Sequence, residues 1–179
     1  AAAAVARTIS RPGGGAAAVE SLFSSETEPK RKASLLRVLG KLGEDRSLRL
    51  VRPALSDPDP VVADAAVRAI AEWPTITARD DAFRIAGQSP NLVHRILALQ
   101  AFVRMIGLER YRSPDGAVAS LKQALGLASR PEEKRLILSA LPAFACPAAL
   151  ELAESLLGSE VQEEARVAVD QIKEQLEKD

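Results

Sequence analysis

The chain has 179 residues, 47% of them apolar but only 3% aromatic, and 24 basic against 24 acidic side chains leave a formal net charge of zero. Zero net charge gives no argument for a nucleic-acid or membrane-surface partner, and no apolar run approaches the roughly 18 residues that a membrane-inserted helix requires. One cysteine excludes an internal disulfide, and one cysteine with one histidine nearly excludes a zinc site.

The apolar mass is Ala, Leu, Val and Ile, which suits closely packed helices. Residues 1–10 read as an Ala-rich helix ended by the flexible break Arg11-Pro12-Gly13-Gly14-Gly15. A short helix over 16–24 carries Val19, Leu22 and Phe23, so residues 1–28 read either as a loose arm or as the remnant of a preceding repeat. From residue 29 to 179 the chain reads as one repeat domain. Helix pairs are expected at 29–42 with 45–55, 58–73 with 77–88, 90–108 with 115–128 and 131–144 with 147–157, followed by a last helix over 160–177. Proline stands at or near the start of many of them: Pro29, Pro58 or Pro60, Pro90, Pro114, Pro131 and Pro147. Its missing N–H costs nothing there, and Asp57, Ser89 and Ser113 just before it are placed to cap free amides.

Sliding the chain on itself by 102 positions lays Leu35, Leu36 and Leu39 over Ile137, Leu138 and Leu141, and shifts of 31 and 63 bring in the middle repeats. One column is then Leu39, Ile70, Phe102, Leu141 and Ile172; a second is Leu36, Val67, Leu99, Leu138 and Val169; a third is Leu35, Ala66, Ala98, Ile137 and Ala168. These columns sit at i, i+1 and i+4, the spacing of one buried helix face. Repetition of a helix pair at this period indicates a solenoid. In the last helix Gln171 replaces the column Val38, Ala69, Ala101, Ala140, and Gln175 replaces Leu42, Trp73, Met105, Phe144, as expected of a C-terminal cap with a polar outer side. The first residue is Ala, not Met, so a processed chain or a segment of a larger protein is expected.

The stretch Asp57-Pro58-Asp59-Pro60-Val61-Val62-Ala63-Asp64-Ala65-Ala66-Val67-Arg68-Ala69-Ile70 resembles the turn and second helix of a HEAT repeat, and Leu48, Leu50, Val51, Pro53, Ala54 and Leu55 resemble the helix before it. The pattern covers roughly 29–177 and looks most like bacterial HEAT-like modules of the phycobilisome-lyase type. The resemblance implies an all-α fold, a right-handed α-α superhelix of about four and a half helix pairs, whose second-type helices line a concave surface used for protein contacts. Val62 stands where many such repeats have Arg, so an inter-repeat arginine ladder is expected to be incomplete.

Chemistry is thin along the chain. His94 is the only histidine and shares a mostly polar column with Arg31, Val62, Glu133 and Glu164, so it reads as an exposed helix-face residue; no nucleophile-elbow pattern accompanies it. Cys146 before Pro147 reads as a small turn residue, and Asp57, Asp59, Asp80 and Asp81 as turn and cap residues rather than metal ligands. Gly13-Gly14-Gly15 lacks the ending of a phosphate loop. Trp73 reads as packing, and Tyr111 lies with Arg110 and Arg112 in a long loop of the third repeat. No catalytic residue, metal or cofactor is expected.

The zero net charge hides an asymmetry: residues 30–52 hold eight basic residues against two acidic, and residues 151–179 hold nine acidic against three basic. One helix column follows the same trend through Arg37, Arg68, Gln100, Ser139 and Asp170. The favoured reading is a non-enzymatic, monomeric protein–protein scaffold that meets a protein partner through Arg37, Lys41, Arg68, Glu72, Gln100 and Arg104. The alternatives are nucleic-acid binding by the basic 30–52 segment, in the manner of HEAT-like DNA glycosylases, a chromophore-lyase-like role, and a passive spacer.

Overall fold

The computed structural model describes residues 14–108 and 113–178; the helix expected over 1–10 and the loop residues around Tyr111 lie outside them. All regular structure among the described residues is helical, so the chain is all-α. Its α-helices are α1 (Gly14–Ser25), α2 (Pro29–Leu42), α3 (Leu48–Ala54), α4 (Pro60–Ala71), α5 (Arg79–Gln88), α6 (Leu92–Leu108), α7 (Pro114–Leu127), α8 (Pro131–Ala140), α9 (Pro147–Glu154) and α10 (Gln162–Leu176). Short 3-10 turns at Asp45–Ser47, Ile76–Ala78 and Leu141–Phe144 lead into α3, lead into α5 and extend α8.

Proline sets the first turn of α2, α4, α7, α8 and α9, where its fixed φ and missing N–H cost nothing. Two caps differ from the sequence expectation. At α4 the cap is Asp59, whose carboxylate accepts the Val61 N–H at 2.8 Å, while Asp57 accepts the Asp59 N–H at 2.9 Å and shapes the turn before it. At α6 the cap is Asn91, which accepts the Val93 N–H at 2.9 Å; Ser89 accepts the Asn91 N–H at 3.2 Å. In both places the polar residue nearest the first free amides takes the capping position, and the earlier one is left to form a turn. Ser113 caps α7 as expected, accepting the Gly116 N–H at 3.2 Å.

The helices pack in a regular order. α2, α4, α6, α8 and α10 lie side by side in sequence, each against the next. On their other side α3 packs on α4, α5 on α6, α7 on α8 and α9 on α10, with α5, α7 and α9 also in mutual succession. The α1 helix packs on α2 and contributes Val19 to the common core; it includes Gly14 and Gly15, which the sequence pattern assigns to the break before it. Packing overrides the weak helix propensity of glycine there.

All five members of the column Leu39, Ile70, Phe102, Leu141, Ile172 are buried, as are all five of Leu36, Val67, Leu99, Leu138, Val169. Trp73 is fully buried beside them, with its indole N–H lacking a hydrogen-bond partner. The column expected to be polar and exposed is different. Val62 and Glu133 are buried and the His94 side chain is only 15% exposed. Burial varies along this column, with the Arg31 side chain 73% exposed, and each polar side chain in it has a partner nearby: the Glu133 carboxylate accepts the N–H groups of Ser129 and Arg130 at 2.8 and 3.1 Å.

Polar links join neighbouring helix pairs. Buried Glu20 on α1 accepts the Ser47 hydroxyl at 2.6 Å and lies 3.2 Å from the Arg49 guanidinium on α3. Buried Asp81 on α5 plays the same part for Arg52, at 2.9 Å. The C-terminal end of α2 turns at Gly43, whose φ of 60° is left-handed and whose Cβ would meet the Pro74 ring at 2.1 Å.

Candidate binding groove

The outer face of the α2–α10 series carries three clefts, each between consecutive helices. Arg68, Glu72, Gln100 and Arg104 line a cleft of about 270 Å³ between α4 and α6, with Leu97 and two alanines completing it. A cleft of about 540 Å³ between α6 and α8 shares Gln100 with the first and adds Leu136, Arg135 and Ser139. The last, about 650 Å³ between α8 and α10, shares Arg135 and Ser139 and is closed by Glu163, Glu164, Val167 and Gln171. Because each shares lining residues with the next, the three form one groove crossing four helices.

Four of the six nominated residues thus come together in one cleft. Arg37 and Lys41 do not join them; they stand exposed on α2, which lies close against α4 at Gly40 and Ala69, and line none of the three clefts. Sequence reasoning missed Arg135, Glu164 and Val167. Arg135 shares its repeat position with Ala33, Asp64 and Ile96, so no common chemistry marks that column. Val167 is 55% exposed and adds to the apolar lining, which periodicity, assigning valine to a core, hides.

Several groove residues serve the fold. Arg104 donates to the carbonyls of Trp73 at 2.7 Å and Ala71 at 3.1 Å, closing the C-terminal end of α4 from the next repeat. Arg68 donates to the Asp64 carboxylate at 2.8 Å. That hydrogen bond, helped by a second one to His94, holds the Asp64 carboxyl below its ordinary value, and Asp64 in turn raises the Arg68 guanidinium. An ionised carboxylate only accepts, so the His94 Nε2, 2.9 Å away, carries the proton. His94 therefore links α6 to α4.

At the far end Arg135 donates to Glu164 at 2.6 Å and Lys134 to Glu160 at 2.8 Å, joining α8 to the last helix and the turn before it. The Glu164 backbone amide and Arg135 hold the Glu164 carboxyl below its ordinary value; Lys134 does the same for Glu160.

Half of the cations of the basic 30–52 segment are engaged with acids: Arg31 with Glu28 at 2.9 Å, Arg46 with Glu44 at 2.9 Å, Arg49 with Glu20 and Arg52 with Asp81. No group of three or more His, Cys, Asp or Glu side chains comes together to hold a metal ion among the described residues. No helix among the described residues is long and apolar enough to cross a membrane. No protein-family model, no curated protein and no solved structure matches the chain.

Proposed function

We propose that the chain is a non-enzymatic protein–protein interaction scaffold, built as a right-handed HEAT-like α-α superhelix that presents the α4–α10 groove to a protein partner. The observation that carries this reading is the continuity of the groove. Successive helices of one series supply side chains from the same repeat position, Arg68, Gln100 and Ser139, to clefts that share walls. The orderly packing of α2, α4, α6, α8 and α10 supports the superhelix, since a repeat that contacts only its neighbours builds an extended surface. Short apolar lining with alternating polar groups fits a protein surface better than a small molecule, which would be enclosed more fully. The pairing of Arg31, Arg46, Arg49 and Arg52 with carboxylates offsets part of the positive potential that a nucleic-acid reading requires.

The test is an affinity capture from lysate of the source cells, comparing the wild-type chain with Gln100→Glu/Ser139→Glu. Both side chains are exposed, so the fold tolerates the change. A protein held by wild type and lost by the variant supports the scaffold. Equal capture by both moves the site off this groove, and no capture by either makes the chain a spacer.

A further inference from the structure

The helix face that carries the groove is electrically polarised, from α2 beside its near end to α10 at its far end. On α2, Arg37 and Lys41 stand one helical turn apart, exposed, and neither makes an ion pair among the described residues. In the middle, Arg68 is paired with Asp64, and Arg104, whose bonds to the α4 carbonyls leave its charge in place, is offset by the exposed carboxylate of Glu72 in the same cleft. On α10 the balance reverses. Glu163 has 80% of its side chain exposed and is reached only by Arg166 at 3.5 Å, and Asp170 is exposed with no ion pair among the described residues. With the middle balanced, uncompensated cations stand on α2 beside the near end of the groove and uncompensated carboxylates on α10 at its far end.

We infer that the groove takes an extended segment of a protein partner that places acidic side chains over α2 and basic side chains over α10. This rests on the scaffold reading above and adds the chemistry and spacing of the occupant. Neighbouring helices lie roughly 8–10 Å apart, so the steps from α2 to α10 span roughly 35 Å. An extended chain advances about 3.3 Å per residue, which separates the acidic and basic groups by roughly ten to twelve residues. A uniformly acidic or uniformly basic ligand is drawn to one end and repelled at the other, so the polarity selects partners as well as holding them.

The probe is a labelled synthetic peptide with two glutamates at one end, two arginines at the other and a Gly/Ser spacer of roughly twelve residues. Its binding is followed by fluorescence anisotropy at low ionic strength, where screening is weak. Arg37→Glu/Lys41→Glu and, separately, Glu163→Lys/Asp170→Lys each weaken the Kd about tenfold. The variant carrying all four changes reverses the groove and accepts the same peptide in the opposite direction, so its Kd returns to within about threefold of wild type. A four-site variant as weak as the two-site ones, two-site variants that bind like wild type, or equal binding of a peptide whose spacer is too short to span the groove would each overturn the inference. Thermal melts confirm that the variants fold. Arg37→Gln/Lys41→Gln serves as a milder first-end variant, expected to show the same direction of change. If lysate capture through the groove persists while the peptide results fail, the polarity is wrong and the scaffold stands. If wild type captures nothing from lysate, the scaffold reading itself falls.

Discussion

The backbone of Gly40 on α2 runs so close to Ala69 on α4 that a Cβ added to Gly40 would lie 2.7 Å from the Ala69 Cα and 2.9 Å from its carbonyl oxygen. The atoms it meets are backbone and cannot rotate away, so any side chain there separates the two helices. Gly40→Ala gains about 1 kcal/mol in helix propensity. The overlap costs about 1–3 kcal/mol and outweighs it. The expected result is a lower urea midpoint, followed by the fluorescence of Trp73, the only tryptophan. A raised midpoint would show that α2 and α4 are less tightly joined.

Arg104 closes the end of α4 by donating to the carbonyls of Ala71 and Trp73. Arg104→Met keeps much of the aliphatic stem and removes the donors. It should lower stability by about 1 kcal/mol, the net worth of a modest hydrogen-bonding contribution. Amide hydrogen exchange should quicken first at the C-terminal end of α4. Unchanged protection there would mean that the carbonyls are satisfied equally well by water.

Asp64 gives the acid limb of the stability curve a specific contributor. Its folded pKa is depressed below the unfolded value by Arg68 first and His94 after it. A depressed carboxyl stabilises the fold fully above its unfolded pKa, roughly 3.9, and that stability is lost as pH falls through the lower folded value. Asp64→Asn should therefore flatten the loss of stability below about pH 4 while leaving its slope above pH 5 unchanged. The effect is modest because the Asp64 side chain is 35% exposed. An acid limb identical in wild type and variant would remove Asp64 from the account.

Leu99 and Leu138 occupy the same repeat position on α6 and α8, and both are buried. Leu99→Asp or Leu138→Asp puts a carboxylate into the core with no partner prepared for it. Each should abolish cooperative unfolding, since every repeat depends on contacts with its neighbours. A retained cooperative transition with an unchanged midpoint would show that this register does not hold the core.

The core columns were legible because repetition multiplies a weak local signal: five residues at one repeat position agree where one would be ambiguous. Helix starts were legible from proline, although Asp59 and Asn91 took the caps assigned to Asp57 and Ser89, as adjacent side chains compete for the same amides. What stayed hidden depends on pairs distant in sequence. Nothing local marks Gly40 as a helix crossing, Arg104 as a cap for the preceding repeat, or Glu20 as the buried acceptor of Ser47. The groove was half legible. Its α4–α6 cleft follows from two columns, Arg68 with Gln100 and Glu72 with Arg104, whereas Arg135 and Glu164 enter through an inter-helix ion pair that no column shares.

Site-specific photo-crosslinking is the most direct measurement of the central claim that the α4–α10 groove holds a protein partner. A photoreactive residue is placed at Gln100 and at Ser139, both in the groove, and for comparison at Arg84 and Glu151 on the α5 and α9 helices of the other layer. Crosslinks to one protein from Gln100 and Ser139, and none from Arg84 or Glu151, are the predicted result. Crosslinks from Arg84 and Glu151 with none from the groove would contradict it and place the binding surface on the opposite layer.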